Sequence, residues 1–220
     1  MLFSQLLRQE ADAMWQASFD HPFVRGIADG SLPLDRFRYY VLNDSYYLGE
    51  FAKVQAIGAA KSHNLHTSNR MAAHVQGTYN SELALHETFV KRLGITEEER
   101  AAFKPAPASY AYTSHLHRAA YNGHLGDIVA ALLPCYWLYF EIGEQLKGTV
   151  VSEPIYQDWI DAYGAEGFGE LVQEQIDRLD EIADMVTEAD RERMKQQFLI
   201  SSRYEWMFWQ MAYTLEQWPV

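Results

Sequence analysis

Apolar residues recur every three or four positions along almost the whole chain, which is the spacing of one face of an α-helix. In the first half this pattern predicts a helix that starts near Leu2 and ends near 20–22, a second over about 34–62, and a third from about 64 to just before Gly94. Thr96 and Glu99 have the spacing of a capping box for one short turn. Residues 104–109, KPAPAS, are predicted to be a loop between helices.

The same helical spacing of apolar residues continues through the second half of the chain. It predicts helices around 110–121, from about 127 to 146, from 152–154 to just before Gly164, over 166–185, and from 187 to about 215. No segment shows the convincing alternation of a strand. We therefore predict a single all-α domain over residues 1–220, a helical bundle with the very apolar helix that carries Cys135 at its centre.

Asp44 interrupts the apolar face of the second predicted helix. Phe37, Tyr40 and Val41 precede it on that face, and Tyr47, Leu48 and Phe51 follow it. A buried ionised carboxylate without a partner is costly, so it needs hydrogen bonds or a shifted pKa. This apolar face by itself leaves two interpretations of Asp44 open. The aspartate is functional, or it is structural and bonded to a tyrosine or a buried water.

Two further reactive groups stand in apolar positions. Cys135 follows Pro134 within the central helix, where the proline removes one backbone donor and is expected to kink the helix. Glu205 shares a face of the last helix with Phe198 and Phe208. A lone buried cysteine can be an inert small hydrophobe, and a core glutamate can simply bond a tyrosine or Arg203. Together with Asp44, however, these positions predict a central pocket with one thiol and two carboxylates, and burial should raise the pKa of Glu205.

Charge and motifs narrow the partners. The formal net charge of −12, without a basic block, argues against nucleic acid and anionic membrane surfaces. The longest uncharged apolar stretch, residues 128–140, is too short to cross a bilayer, and one cysteine cannot form an internal disulfide, so we predict a soluble cytoplasmic protein. No zinc-finger, Glu-x-x-His or phosphate-loop spacing is present, and no metal site is predicted.

Several segments, in this order and at this spacing, resemble the thiaminase II family, also called TenA, over essentially the whole chain. The segments are HPFVRGIADGSL, RFRYYVLNDSYYL, AYTSHL, LLPCYWLYFEIG, DAYG and SSRYEWMFW. The resemblance implies the all-helical fold of haem oxygenase. It also implies hydrolysis of aminopyrimidines that are linked through a methylene to a leaving group: thiamine, or 4-amino-5-aminomethyl-2-methylpyrimidine, which loses ammonia. Both yield the hydroxymethylpyrimidine from which thiamine is rebuilt. The resemblance implies no cofactor. It implies that the protein forms a homotetramer.

The same resemblance implies a role for each site residue. Cys135 places the chain in the branch with an active-site cysteine, as the nucleophile, and Glu205 is the main acid and base. Tyr47 and Tyr112 are expected to hydrogen-bond Cys135 and favour its thiolate. The substrate is expected to be bound by Asp44, Tyr139, Tyr163 and Phe208.

Two alternatives remain open from the sequence. Bundles of this type can hold haem or two metal ions and activate oxygen, and His21 with scattered carboxylates would then supply ligands. A DNA-binding regulator is the other alternative, but the net charge of −12 opposes it.

Overall fold

Helices make up the regular structure of the chain. The computed structural model describes the backbone of residues 1–220 and all side chains except those at positions 81, 82, 85 and 86. No β-strand occurs along this backbone, as the sequence predicted. In chain order the elements are α1 (Phe3–Phe19), α2 (Pro22–Asp29), α3 (Leu34–Ala60), α4 (Leu65–Gly77), a π-helical segment π1 (Thr78–Leu83), α5 (Ala84–Arg92), α6 (Glu97–Ala102), α7 (Pro107–Asn122), α8 (Leu125–Leu146), α9 (Pro154–Tyr163), α10 (Glu166–Met185) and α11 (Glu188–Thr214).

The apolar helix α8 lies at the centre of the bundle, as predicted. It packs most extensively against α11 and also contacts α3, α7, α9 and α10. By length and composition α8 could cross a membrane, but 72% of its most apolar 18-residue window is buried inside the protein, which is typical of a core helix. A continuous cluster of buried apolar side chains extends from Leu7 in α1 to Ala212 in α11, so the first and last helices share one core.

One helix was not predicted from the pattern. Pro22 occupies the first turn of α2, where its missing N–H costs nothing, and the His21 side chain accepts a hydrogen bond from the backbone N–H of Phe23. Gly30 ends the helix with φ of 78°, a left-handed conformation that glycine adopts without strain. These start and stop signals define an eight-residue helix that is too short to show a clear period.

The third predicted helix is divided. Its regular hydrogen bonding ends at Gly77, and π1 separates α4 from α5. Thr78, the first residue of π1, is buried and exchanges hydrogen bonds with the side-chain amide of Gln55 in α3. π-Helical turns are rare and often accompany functional sites.

The connection after α5 agrees with the sequence at one point and differs at another. Thr96 and Glu99 form the predicted capping box at the start of α6. The predicted loop over 104–109 is shorter than expected, because Pro107 takes the first position of α7, where proline is favoured.

Gly143 allows α9 to approach the central helix closely. A Cβ atom at this position would lie 2.4 Å from the backbone carbon and oxygen of Tyr163. Only a residue without a side chain fits, and the close approach places the ring of Tyr163 4.8 Å from that of Tyr139, one turn earlier on α8.

Gly143→Ala should therefore destabilise the protein although alanine favours helices. The methyl group has to displace the backbone at Tyr163, and overpacking of this kind costs about 1–3 kcal/mol. Gly49→Ala is the matched control: it also lies within a long helix, but a Cβ there meets no atom within 4 Å. That change should stabilise the fold by up to about 1 kcal/mol. Urea unfolding of both variants tests the pair, and equal effects would contradict the close approach.

Candidate active site

A small cavity in the core brings four of the predicted site residues together. Its volume is about 30 Å³, room for about one water molecule. Asp44 from α3, Cys135 and Tyr139 from α8, and Tyr163 at the end of α9 all line it. The remaining lining residues are Leu48, Phe51, Thr78, Tyr136 and Phe168. We refer to this space as the inner cavity.

The Glu205 carboxyl group is buried beside this cavity. Its oxygen Oε1 accepts a hydrogen bond of 2.6 Å from the hydroxyl group of Tyr112. Burial raises the pKa of Glu205 to about 8; the bond from Tyr112 opposes this shift, and the nearby carboxylate of Asp44 adds to it. A carboxyl group with this pKa exchanges protons near neutral pH, as the sequence pattern predicted.

Tyr47 and Phe208 pack against the residues of this site. The Tyr47 ring lies 4.9 Å from that of Tyr112 and 5.7 Å from that of Phe208. The Tyr47 hydroxyl group is buried, and no hydrogen bond of normal geometry joins it to the described residues. Cys135 is close enough that its charge would raise the pKa of Tyr47 further. The eight residues proposed from the sequence therefore form one continuous group.

The tyrosines of this group remain protonated. Burial raises the pKa of Tyr47, Tyr112 and Tyr139 well above the usual value, and neighbouring acidic groups raise it further. Their hydroxyl groups therefore act as neutral hydrogen-bond donors rather than as bases at physiological pH. A tyrosine partner for Glu205 was one of the alternatives from the sequence, but Tyr112 was not identified as that partner, because nothing in the sequence shows that α7 and α11 pack with these two residues face to face.

One hydrogen bond ties the helix of Cys135 to the helix of Glu205. The Ser201 hydroxyl, one turn before Glu205, donates to the backbone carbonyl of Ala131, one turn before Cys135, at 2.7 Å. Pro134 cannot donate to the carbonyl of Ala130, so the backbone hydrogen bonding of α8 is already incomplete in this turn. Ser201 thus ties α11 to the turn of α8 that precedes Cys135.

The sequence interpretation missed the two other lining residues that carry a hydroxyl group, Thr78 and Tyr136. The Tyr136 hydroxyl accepts a hydrogen bond from the side-chain amide of Gln55 and lies 3.1 Å from Nδ1 of His74. Thr78 also bonds Gln55. In the sequence, Tyr136 is one aromatic residue within an apolar run, and its polar partners come from α3 and α4, so no local signal distinguishes it.

The residues that could ligate a metal are not grouped. Among the described side chains, no three of His, Cys, Asp and Glu lie close enough to hold an ion. His21, considered as a ligand from the sequence, uses Nδ1 to accept from the backbone of Phe23, and its Nε2 lies 3.0 Å from Oε1 of Gln210. Its two ring nitrogens are therefore already engaged.

The chain is similar to known proteins along almost its whole length. The family model described as the TENA/THI-4/PQQC family matches residues 8–215. An aminopyrimidine aminohydrolase of Bacillus subtilis (strain 168) is 56% identical over 218 residues, which cover 99% of this chain and 92% of that protein. A solved TenA homologue from P. horikoshii OT3 has a TM-score of 0.89 at 27% identity, covering 97% of this chain and 99% of that one. A Shewanella denitrificans OS217 domain of unknown function with a heme oxygenase-like fold has a TM-score of 0.75 at 16% identity, covering 96% and 92% of the two chains. The predicted fold is thereby confirmed.

The pKa of Glu205 makes stability depend on pH in a defined direction. The folded protein keeps the Glu205 proton up to about pH 8, whereas the unfolded chain releases it near the ordinary pKa of 4.5. Between these values the folded state binds more protons, so this group lowers the free energy of unfolding as pH rises, by at most about 1.4 kcal/mol per pH unit. Glu205→Gln does not titrate, so the stability of the wild type relative to this variant should fall from about pH 5 to about pH 8. Urea unfolding of both proteins measures the difference, and a constant difference would contradict the raised pKa.

Proposed function

Because the chain belongs to the TENA/THI-4/PQQC family, we propose that it is a hydrolase of aminopyrimidines that carry a leaving group on a methylene. The substrates are thiamine and 4-amino-5-aminomethyl-2-methylpyrimidine, and the product is the hydroxymethylpyrimidine that is used again to make thiamine. The name of the 56% identical relative, aminopyrimidine aminohydrolase, supports this proposal.

The chemical groups that the buried site combines are the main support for this proposal. Cys135 and Asp44 line one cavity, and Glu205, with a pKa of about 8, lies beside it. A thiol, a carboxylate and a proton-exchanging carboxyl group are what the hydrolysis requires: a nucleophile, a partner for the polar edge of the pyrimidine, and an acid that becomes a base.

The proposed reaction begins with addition of the Cys135 thiolate to the pyrimidine carbon next to the one that bears the methylene. A carbon–sulfur bond forms, and the displaced π electrons expel the leaving group, which leaves an exocyclic methylene. For the aminomethyl substrate, protonated Glu205 delivers a proton to the departing amine. The thiazole of thiamine departs as a neutral ring and takes no proton, so with that substrate Glu205 acts only as the base toward water. Water then adds to the methylene and gives a proton to Glu205. The electrons return to the ring, the carbon–sulfur bond breaks, and aromaticity is restored.

The other site residues bind and orient. Asp44 accepts from the exocyclic amine and shares the proton of the adjacent ring nitrogen, because a carboxylate is the matching partner of an amidine edge. Tyr139 and Tyr163 enclose the heterocycle, and Phe208 supplies apolar packing. Tyr47 and Tyr112, both neutral donors, stabilise the Cys135 thiolate, and Tyr112 also links it to Glu205.

The protein is proposed to be cytoplasmic, to bind neither nucleic acid nor membranes, to need no cofactor, and to form a homotetramer.

An aromatic strip on the surface, formed by Tyr110, Tyr121 and Trp218, supports self-association. Tyr110 and Tyr121 are exposed on α7, eleven residues or about three turns apart, and Trp218 contacts Tyr110 edge to face at 6.1 Å. Tyrosine and tryptophan are enriched in the cores of interfaces.

Light scattering of the purified protein should give a mass about four times the 25.4 kDa of the chain. A change of Tyr121 to Arg should shift the distribution toward smaller species if the strip is an interface. A monomer at micromolar concentration would contradict the tetramer.

Cys135→Ser should nearly abolish hydrolysis of thiamine and of the aminomethylpyrimidine while leaving the fold intact. The change is small, and a serine hydroxyl is a poor nucleophile at neutral pH without an activating base. Product release is followed by chromatography, and thermal unfolding checks the fold. Retention of more than about a tenth of wild-type kcat/KM, a loss of only about 1.4 kcal/mol, would remove the nucleophile role of Cys135. If the wild type hydrolyses neither compound, the proposed function itself is wrong.

A further inference from the structure

Gln55 is a polar residue of α3 that has no role in the reaction described above. It is completely buried. Its amide nitrogen donates to Oγ1 of Thr78 at 3.1 Å and to the hydroxyl group of Tyr136, and its amide oxygen accepts from Thr78 at 3.2 Å. Both partners line the inner cavity. Gln55 therefore joins α3 to π1 and to the central helix α8 at the lining of the candidate active site.

The Tyr136 hydroxyl group has another polar neighbour on α4. Nδ1 of His74 lies 3.1 Å from it, and the two rings meet edge to face. On the far side of this imidazole, Nε2 lies 3.4 Å from Oε1 of Glu174, which is also bonded by Arg178. The Tyr136 side chain is therefore held from two helices, by Gln55 of α3 and by His74 of α4.

Tyr136 directly follows Cys135, in a part of α8 that lacks one of its own hydrogen bonds. The proline before Cys135 has no N–H to donate, so the helix by itself constrains this turn less than an ordinary one. Contacts with neighbouring helices therefore contribute more to its position. Ser201 of α11 makes one of them, through its hydrogen bond to the backbone of α8. Gln55 makes another, through Tyr136.

The Cys135 thiol has to keep its position relative to groups on other helices. It shares the lining of the inner cavity with Asp44 of α3. It also lies close enough to the hydroxyl groups of Tyr47 and Tyr112 that a charge on its sulfur would raise their pKa. A displacement of about 1 Å in such a site can lower a rate about a hundredfold. The side chains that fix this turn of α8 therefore bear on the reaction.

We propose that Gln55 is a positioning residue of the active site, which holds the Cys135 thiol in place for attack on the substrate by anchoring Tyr136, the next residue of α8. Gln55 acts through Tyr136 rather than by contact with the substrate. This inference rests on the proposed function, because it assigns how the nucleophile of that reaction is oriented. A Gln55 with only a structural role would contribute to stability and leave the reactivity of Cys135 unchanged, so the two roles have different consequences.

The reactivity of Cys135 can be measured without a catalytic assay, because it is the only cysteine of the chain. Alkylation by iodoacetamide requires the thiolate, so its rate against pH has a midpoint that is set by ionisation of the thiol. Neutral hydroxyl donors such as those of Tyr47 and Tyr112 stabilise a thiolate that lies near them. A displaced thiol loses this stabilisation, and the midpoint of its alkylation should then move to higher pH.

The experiment uses two variants that break the anchor from its two ends. Gln55→Leu removes the amide group, and Tyr136→Phe removes the hydroxyl group and keeps the ring. In both, kcat for the aminomethylpyrimidine should fall by about tenfold or more, and KM should change by less than about threefold, because the residues that bind the pyrimidine are unchanged. The midpoint of Cys135 alkylation should rise by about half a pH unit or more.

Tyr156→Phe is the matched control. The Tyr156 hydroxyl is also buried and donates to the backbone carbonyl of Leu32 at 2.6 Å, but Tyr156 does not line the inner cavity. The change should lower the free energy of unfolding much as Tyr136→Phe does, because each removes one buried hydroxyl from its hydrogen bonds. It should leave kcat and the alkylation profile unchanged. Thermal unfolding confirms that each variant is folded, and Tyr136→Phe, the smaller change, decides the result if Gln55→Leu is not.

Two results would overturn the inference. An unchanged alkylation profile in the folded anchor variants shows that the thiol has not moved, and Gln55 then has only a structural role. A shift in Tyr156→Phe as large as that in Tyr136→Phe shows that lost stability, rather than the position of Cys135, is the cause. Failure of the proposed function looks different: the wild type then hydrolyses neither compound, while the alkylation profiles still decide whether Gln55 positions the thiol.

Discussion

The central helix α8 is buried on nearly all sides, and this burial governs how the other helices and the site are arranged. Five other helices cover it, and α11 packs against it most extensively. Any polar group that faces into this packing must find its partner within the protein. The Ser201 hydroxyl does so on the carbonyl of Ala131, and Gln55 does so on Tyr136. The site is therefore built from contacts between helices rather than from any one of them.

The same burial gives the site its acid–base character. Glu205 is removed from water, and the hydrogen bond from Tyr112 only partly offsets the cost of its charge. The result is a carboxyl group with a pKa of about 8, which changes protonation within the range where enzymes work. The surrounding tyrosines are held in their neutral form for the same reason, so proton exchange is concentrated on Glu205.

Thr78, Tyr136, Tyr163 and Phe168 line both the inner cavity and a larger neighbouring cavity of about 490 Å³. Elements distant in sequence meet at these four residues: π1, α8, the end of α9 and the start of α10. The close approach at Gly143 brings Tyr163 to this position, and π-helical hydrogen bonding begins at Thr78. The lining of the inner cavity therefore depends on how four separate elements pack.

The helical class, most helix positions, the central place of α8 and the family could be predicted from the sequence, because a periodic apolar face and ordered local motifs are properties of short segments. It also singled out Asp44, Cys135 and Glu205, since a polar group on an apolar face is visible without a structure. The packed structure was needed to show that α2 forms, that the third predicted helix divides at Gly77, and that Tyr112 bonds Glu205. It alone revealed Thr78, Tyr136 and His74, whose partners lie on other helices. Contacts between residues far apart in the chain depend on how the helices pack, and the local sequence pattern does not predict that packing.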